Sequence, residues 1–207
     1  MLEYISAAKS AIDIISAASK AKKELDKEPI FFDKFIIPFH ASVNSIISDY
    51  LGMMRGLSNE LIALRDTRES TEDICELEKR VVSTRIAIDE FSKRRVVMLP
   101  LRREIEMLSQ GYGRVEDYGS FNVYFSLIKS IFHNYIPGIS ERGSASHHVS
   151  YFLNEYHAES KIMEAVSRSA KWADELLEYM GAYADHLERV SGMIAQEYAS
   201  LRIKFGK

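Results

Sequence analysis

The residues best suited to chemistry in this sequence are six histidines and one cysteine, and their spacing matches no catalytic or metal-binding motif. A di-metal carboxylate bundle needs a glutamate three residues before a histidine, and none of the six histidines has one. The nucleophile motif GxSxG and the phosphate-binding loop motif are absent. Cys75 lies beside an apolar-periodic position, which favours a core role. We therefore predict no catalytic residue, metal or cofactor and lean against an enzyme, while a site assembled from distant residues stays open.

Two glycine-containing segments, 109–120 and 137–148, hold further polar candidates. Each carries one arginine among glycines, and both flank the same short aromatic segment, so they are expected near one end of the fold. The candidate anion-binding or recognition tip consists of Arg114, Arg142, His147 and His148. Ordinary connecting loops are the favoured alternative, because most segments of this length only join helices.

A basic run within residues 93–103 is the sharper candidate for binding an anion. Its members are Lys93, Arg94, Arg95, Arg102 and Arg103. Arginines can bind phosphates or an acidic protein surface, so nucleic acid is one possible partner. No aromatic residues interleave with these charges, and the whole chain carries a formal charge of −3. A nucleic-acid partner is therefore less favoured than ion pairing with neighbouring helices.

Composition favours long helices over sheets. The chain has 207 residues, of which only ten are glycine and four proline, and 46% are hydrophobic. Few turn-forming residues mean few, long elements, and helical spacing recurs along the chain without strand-like alternation. One cysteine excludes a disulfide framework. The predicted fold class is all-α, as a single domain over 1–207.

Heptad spacing predicts two long helices, at about 58–108 and 147–205. From Val149 to Phe205, fifteen of seventeen positions at alternating three- and four-residue steps are apolar or aromatic. Positions flanking this stripe are also apolar, which is typical of a helical bundle rather than a two-stranded coiled coil. The flanking residues are Ile162, Leu176, Tyr183 and Val190. We predict an elongated bundle with coiled-coil-like packing, its last helix either continuous or broken near Gly181.

Local breakers divide the rest of the chain. Gly52 and Gly56 suggest a possible division into 1–56 and 57–207, with a new helix from about residue 58. The polar run 65–73 predicts a turn or a solvated helical bridge, followed by a helix capped by Ser70 or Thr71. Pro100 lacks an amide proton, so the helix from residue 74 should kink or restart there. The aromatic segment 118–140 is expected to cap the bundle.

Two apolar segments, 30–39 and 121–135, carry more hydrophobic surface than a solvated helix needs. The candidate interface consists of Phe31, Phe32, Phe35, Phe39, Phe121, Tyr124 and Phe125. We expect a non-catalytic interaction or assembly protein that contacts other proteins and forms a homo-oligomer. Membrane insertion of 118–140 is a less favoured alternative, because asparagine, proline and serine interrupt that segment. A charged N-terminal segment and the lack of a long apolar run favour a cytoplasmic location.

Overall fold

The computed structural model describes residues 9–14, 16–17, 28–70, 73–97, 100, 103, 107, 116–134, 151–169 and 171–206. Of these residues 95% are helical and none lies in a strand, which confirms the all-α prediction. The main helices are α1 Glu28–Phe31, α2 Ile37–Ser70, α3 Ile74–Val97, α4 Asn122–Asn134, α5 Glu159–Arg168 and α6 Lys171–Lys204. A π-helical turn, Phe32–Ile36, joins α1 to α2, and a 3-10 helix, Glu116–Phe121, precedes α4.

Two compact units, each assembled from separate segments, make up the chain. Unit 1 comprises Met1–Tyr50, Val97–Pro137 and Leu187–Lys207, and unit 2 comprises Leu51–Val96 and Gly138–His186. Neither unit is a continuous stretch of sequence, so each depends on contacts between distant segments.

The core of unit 1 is aromatic. Phe31 lies 5.3 Å from Phe121, and Phe32 lies 5.1 Å from Phe205, measured between ring centroids. These contacts join α1 and the π-turn to the start of α4 and the end of α6. The π-turn ends two residues before Pro38, whose ring would clash in a regular α-helix with the carbonyl of Lys34. The wider turn therefore keeps the aromatic run helical up to and through Pro38.

Unit 2 is built from helices that each bury one stripe of apolar side chains. In α3 the stripe consists of Val81, Thr84, Ile88 and Phe91, which follow one another at steps of three or four residues and are each at most 2% exposed. Ile74, in the same register at the start of the helix, is 69% exposed. Salt bridges identify the neighbouring helices: Arg65 of α2 lies 3.0 Å from Asp174 of α6, and Arg85 of α3 lies 2.9 Å from Glu159 of α5. Because these pairs are partly solvated, they orient the helices more than they stabilise them.

The predicted helix boundary near residue 58 is wrong, because α2 continues through Gly52 and Gly56 to Ser70. Both glycines are exposed, while Met54, Leu57 and Leu61 are buried on the other face. Burial of that face offsets the helix cost of two glycines, about 1 kcal/mol each. The polar run also stays helical to Ser70, since its exposed side needs no apolar residue.

Gly56→Ala is expected to raise the free energy of unfolding by about 0.5–1 kcal/mol. A Cβ at this exposed position meets nothing within 4 Å, so alanine brings only its better helix propensity. Chemical denaturation measures the change. Gly206→Ala is the matched control: its backbone has φ of +70°, a left-handed conformation in which alanine is strained. That variant should gain nothing, and an equal gain at both positions would contradict the explanation.

The predicted helix over 58–108 is divided in the structure. Helix α3 begins at Ile74 and is capped by Asp73, whose side-chain oxygen accepts a hydrogen bond from the Cys75 amide at 2.9 Å. The cap is therefore Asp73 and not Ser70 or Thr71. Helix α3 is described as far as Val97, and residues 98–99, which precede Pro100, lie outside the described residues, so the predicted kink or restart at Pro100 stays a prediction.

The last predicted helix, 147–205, is also divided, but not at Gly181. The breaks fall at residues 156–158 and near Ser169, and α6 runs through Gly181 without interruption. The flanking positions that indicated a wide stripe are all buried, which confirms that part of the pattern. Their exposed fractions are 0% for Ile162, 3% for Leu176, 1% for Tyr183 and 7% for Val190.

One helical stretch, Glu28–Ser70, is long and apolar enough to satisfy the criteria for a membrane span, with a window of mean hydropathy 1.2 among the residues described. Half of that window is buried inside the protein. The core helix of a soluble protein meets the same criteria, so length and composition are weak evidence for a span here.

Candidate functional site

The seven residues predicted as an interface all lie in the core of unit 1. Each is at most 2% exposed. Phe35 is an example: its ring centroid lies 4.9 Å from that of Phe31, 5.3 Å from that of Phe39 and 6.5 Å from that of Phe125. Side chains that contact one another this closely offer no surface to a second molecule. The aromatic side chains of the two apolar segments are therefore buried in the core of unit 1.

A polar cluster centred on His40 lies within this aromatic core, and the sequence analysis did not single it out. His40 is 6% exposed and stacks on Tyr198, with ring centroids 3.7 Å apart and planes within 13°. Its Nε2 atom lies 2.9 Å from the Asn44 amide nitrogen, and its Nδ1 atom lies 3.1 Å from the Tyr124 hydroxyl. With Asn44 donating to Nε2, the imidazole carries its proton on Nδ1 and donates it to Tyr124.

Both titratable groups in this hydrogen bond are held in their neutral forms. Burial lowers the pKa of His40 from 6.5 to about 4, because the surrounding rings cannot solvate an imidazolium. Burial, followed by the proximity of Tyr198, raises the pKa of Tyr124 well above 10. At neutral pH neither group offers a base matched to catalysis, so the cluster serves packing and specific hydrogen bonding.

The edge of the aromatic core is closed by charged and polar side chains. Lys204, at the end of α6, lies 3.7 Å from Glu28, the first residue of α1, and also contacts the hydroxyl of Ser120. Glu28 in turn accepts a hydrogen bond from the Ser120 amide at 3.4 Å. These contacts fix the last turn of α6 against the beginning of α1.

The basic run is only partly described. Lys93 and Arg103 are exposed, and Arg94 is half-buried. Arg102 and the side chain of Arg95 lie outside the described residues, as does the whole predicted loop tip of Arg114, Arg142, His147 and His148. The structure therefore places three of these nine residues and brings none of them together into a site.

A cleft of about 270 Å³ lies in unit 2, at the junction of α5 and α6. Tyr156 and Trp172 line its apolar side, with ring centroids 5.0 Å apart. Lys161 and Arg168 line its polar side, and both contact Glu164. Each cation in the cleft therefore already has a carboxylate partner. Within the described residues, no group of three histidine, cysteine, aspartate or glutamate side chains is placed to hold a metal ion.

The surface that stands out is the side of α6 turned away from the core of unit 1. Between Val190 and Leu201 the only charged residue is Glu197, which is half-buried. The exposed residues of this outer face are Gly192, Met193, Ala195, Gln196, Ala199 and Ser200, and exposed Arg202 and Ile203 follow them. Ile203 is 81% exposed, more than any other large apolar side chain described, and Met193 is 46% exposed.

An uncharged outer face of this length is unusual on a helix that contacts only water, because solvated faces are typically rich in charged residues. The first half of the same helix follows that rule, with exposed Lys171, Asp174, Glu175 and Glu178. The sequence analysis followed only the buried stripe of this helix and so missed the outer face. Its signal was the shortage of charge between residues 190 and 201.

Comparison with known proteins found no relative: no protein-family model, curated protein or solved structure matches this chain. A proposal on its function therefore depends on the geometry.

Proposed function

We propose that this protein is a non-catalytic helical assembly protein that acts through protein–protein contacts and associates with itself. The single observation that carries the proposal is the uncharged outer face of α6 between Gly192 and Ser200. Small and apolar side chains allow another helix to approach closely, and no charge has to be desolvated along the contact. An elongated bundle with coiled-coil-like packing and a cytoplasmic location belong to the same proposal.

The outer face is favoured over the aromatic segments because its side chains are accessible. The aromatic side chains at 30–39 and 121–125 that we first considered are buried in unit 1. The outer face, in contrast, is supported from behind by buried Val190, Ile194 and Leu201. A rigid helix with an accessible face loses little conformational entropy on binding, which favours association.

Ala199→Glu is expected to reduce self-association by at least about tenfold, because it places a charge where the contact must be desolvated. Light scattering coupled to size exclusion gives the mass over a range of concentrations. The wild type should reach twice the 23.7 kDa of one chain, and Ala199→Glu should remain a monomer with unchanged circular dichroism.

The matched control is Val123→Glu, which adds the same charge at a 56% exposed apolar residue on α4 of the same unit. It should keep the wild-type mass. A wild type that stays monomeric at all concentrations, or an Ala199→Glu variant that associates like the wild type, would overturn the proposal. Reading absorbance at 260 and 280 nm during the run also tests the competing hypothesis of nucleic-acid binding through Lys93 and Arg103.

A further inference from the structure

The outer face of α6 is flanked by charges of opposite sign. At successive steps of four, three, four and three residues, one line of exposed positions reads Glu188, Gly192, Ala195, Ala199 and Arg202. This spacing places all five on the same side of the helix. The acid and the base each lie seven residues from Ala195, with only small residues between them.

When a second α6 lies antiparallel to the first, the acidic end of each helix lies beside the basic end of the other. We infer that a second copy of the chain packs antiparallel against α6 about a two-fold axis at Ala195, with Glu188 of each copy facing Arg202 of the other. The inference rests on the proposed function and names the partner and its orientation. In a two-fold contact, if Glu188 of the first copy contacts Arg202 of the second, then Arg202 of the first copy contacts Glu188 of the second. The two ends of the contact therefore form two identical Glu–Arg pairs.

The parallel alternative is disfavoured by the same residues. In a parallel, in-register pair, Glu188 would face Glu188 and Arg202 would face Arg202, which places like charges together at both ends. The small residues decide how close the helices come. Glycine and alanine at the crossing permit an axis separation of about 8 Å, at the short end of the range for packed helices.

Cys75 is exposed, so the core role favoured by its spacing is wrong, and it must be replaced by serine before cross-linking. Introduced cysteines then distinguish these arrangements. In the antiparallel pair Ala195→Cys lies on the axis and should form a disulfide-linked dimer. Gly192→Cys should not link to itself, because the two copies of residue 192 are offset by about six residues, or roughly 9 Å along the helix. A mixture of Gly192→Cys and Ala199→Cys chains should link, since these positions face each other.

Charge exchange gives an independent readout. Glu188→Arg and Arg202→Glu should each weaken the dimer about threefold to tenfold, because each change introduces two repulsive pairs. The double variant should recover the wild-type mass profile, since it restores both pairs with their signs exchanged. Recovery by the double variant cannot come from a role of either residue inside one chain alone.

The outcomes separate this inference from the proposed function. A monomeric wild type without any cross-link overturns both. A dimer in which Gly192→Cys links to itself overturns the antiparallel arrangement but keeps the outer face as the contact. The wild type could also form a dimer that none of these cysteines cross-links and that Ala199→Glu leaves intact. Such a dimer uses another surface, which overturns both the antiparallel arrangement and the outer face of α6 as the contact.

Discussion

Phe35→Asp is expected to unfold unit 1. Phe35 is 2% exposed and lies between Phe31, Phe39 and Phe125, so a carboxylate there would lose its water without gaining a partner. The cost of an unpaired buried charge is several kcal/mol, added to about 3–5 kcal/mol for removing the ring, against a total domain stability of about 5–15 kcal/mol. Near-ultraviolet circular dichroism should lose the phenylalanine and tyrosine contribution of unit 1, and the cooperative thermal transition of that unit should disappear.

The matched control for this substitution is Val123→Asp, which places the same carboxylate at an exposed apolar position of unit 1. It should change the free energy of unfolding by no more than about 0.5 kcal/mol. If Phe35→Asp instead remained folded and only lowered the oligomer mass, Phe35 would be an interface residue, as its sequence context first suggested. The structure favours unfolding because the ring of Phe35 is buried between Phe31, Phe39 and Phe125.

Acidification from pH 7 towards pH 4 is expected to destabilise the protein through His40. The pKa of His40 is about 4 in the folded protein and 6.5 in the unfolded chain. At pH 7 this residue is neutral in the folded protein and mostly neutral in the unfolded chain, so it contributes little pH dependence. Below pH 6.5 the unfolded chain binds a proton that the folded protein does not, and the free energy of unfolding falls. The loss approaches about 3 kcal/mol near pH 4 and then levels off.

Urea denaturation at several pH values between 7 and 4.5 measures this loss. Carboxylates titrate in the same range, so the informative quantity is the difference between wild type and His40→Gln. This variant keeps a hydrogen-bonding side chain but cannot titrate, and its stability should fall less steeply with acidification. Parallel slopes for wild type and His40→Gln would show that His40 is protonated equally in both states.

The Phe35→Asp and His40 experiments bear on function because they test residues of the core of unit 1 rather than residues of its surface. The aromatic rings and His40 hold α1, the π-turn, α4 and the end of α6 together. That packing makes the end of α6 a firm support for its outer face. Substitutions in the core should abolish folding and association together, whereas Ala199→Glu should abolish association alone.

Local features of the sequence were sufficient to predict the helices and their buried stripes. The spacing of Val81, Ile88 and Phe91 predicted the buried side of α3, and the apolar neighbours Leu176 and Tyr183 predicted a wide buried stripe on α6. These predictions held because a helix repeats every 3.6 residues, so its buried side is visible within any two turns. The all-α class followed from the same periodicity and from the shortage of glycine and proline.

The tertiary structure decided where helices end and what covers each apolar side chain. Gly56 did not break α2, because the burial of neighbouring leucines outweighed the cost of a glycine in a helix, which is about 1 kcal/mol relative to alanine. Phe35 could have been interface or core from its sequence alone, since both uses need the same residue type. His40, Tyr124 and Tyr198 are far apart in the chain, so no local pattern could bring them together. Whether a side chain is buried depends on which distant segment of the chain packs against it, and only the folded structure determines that.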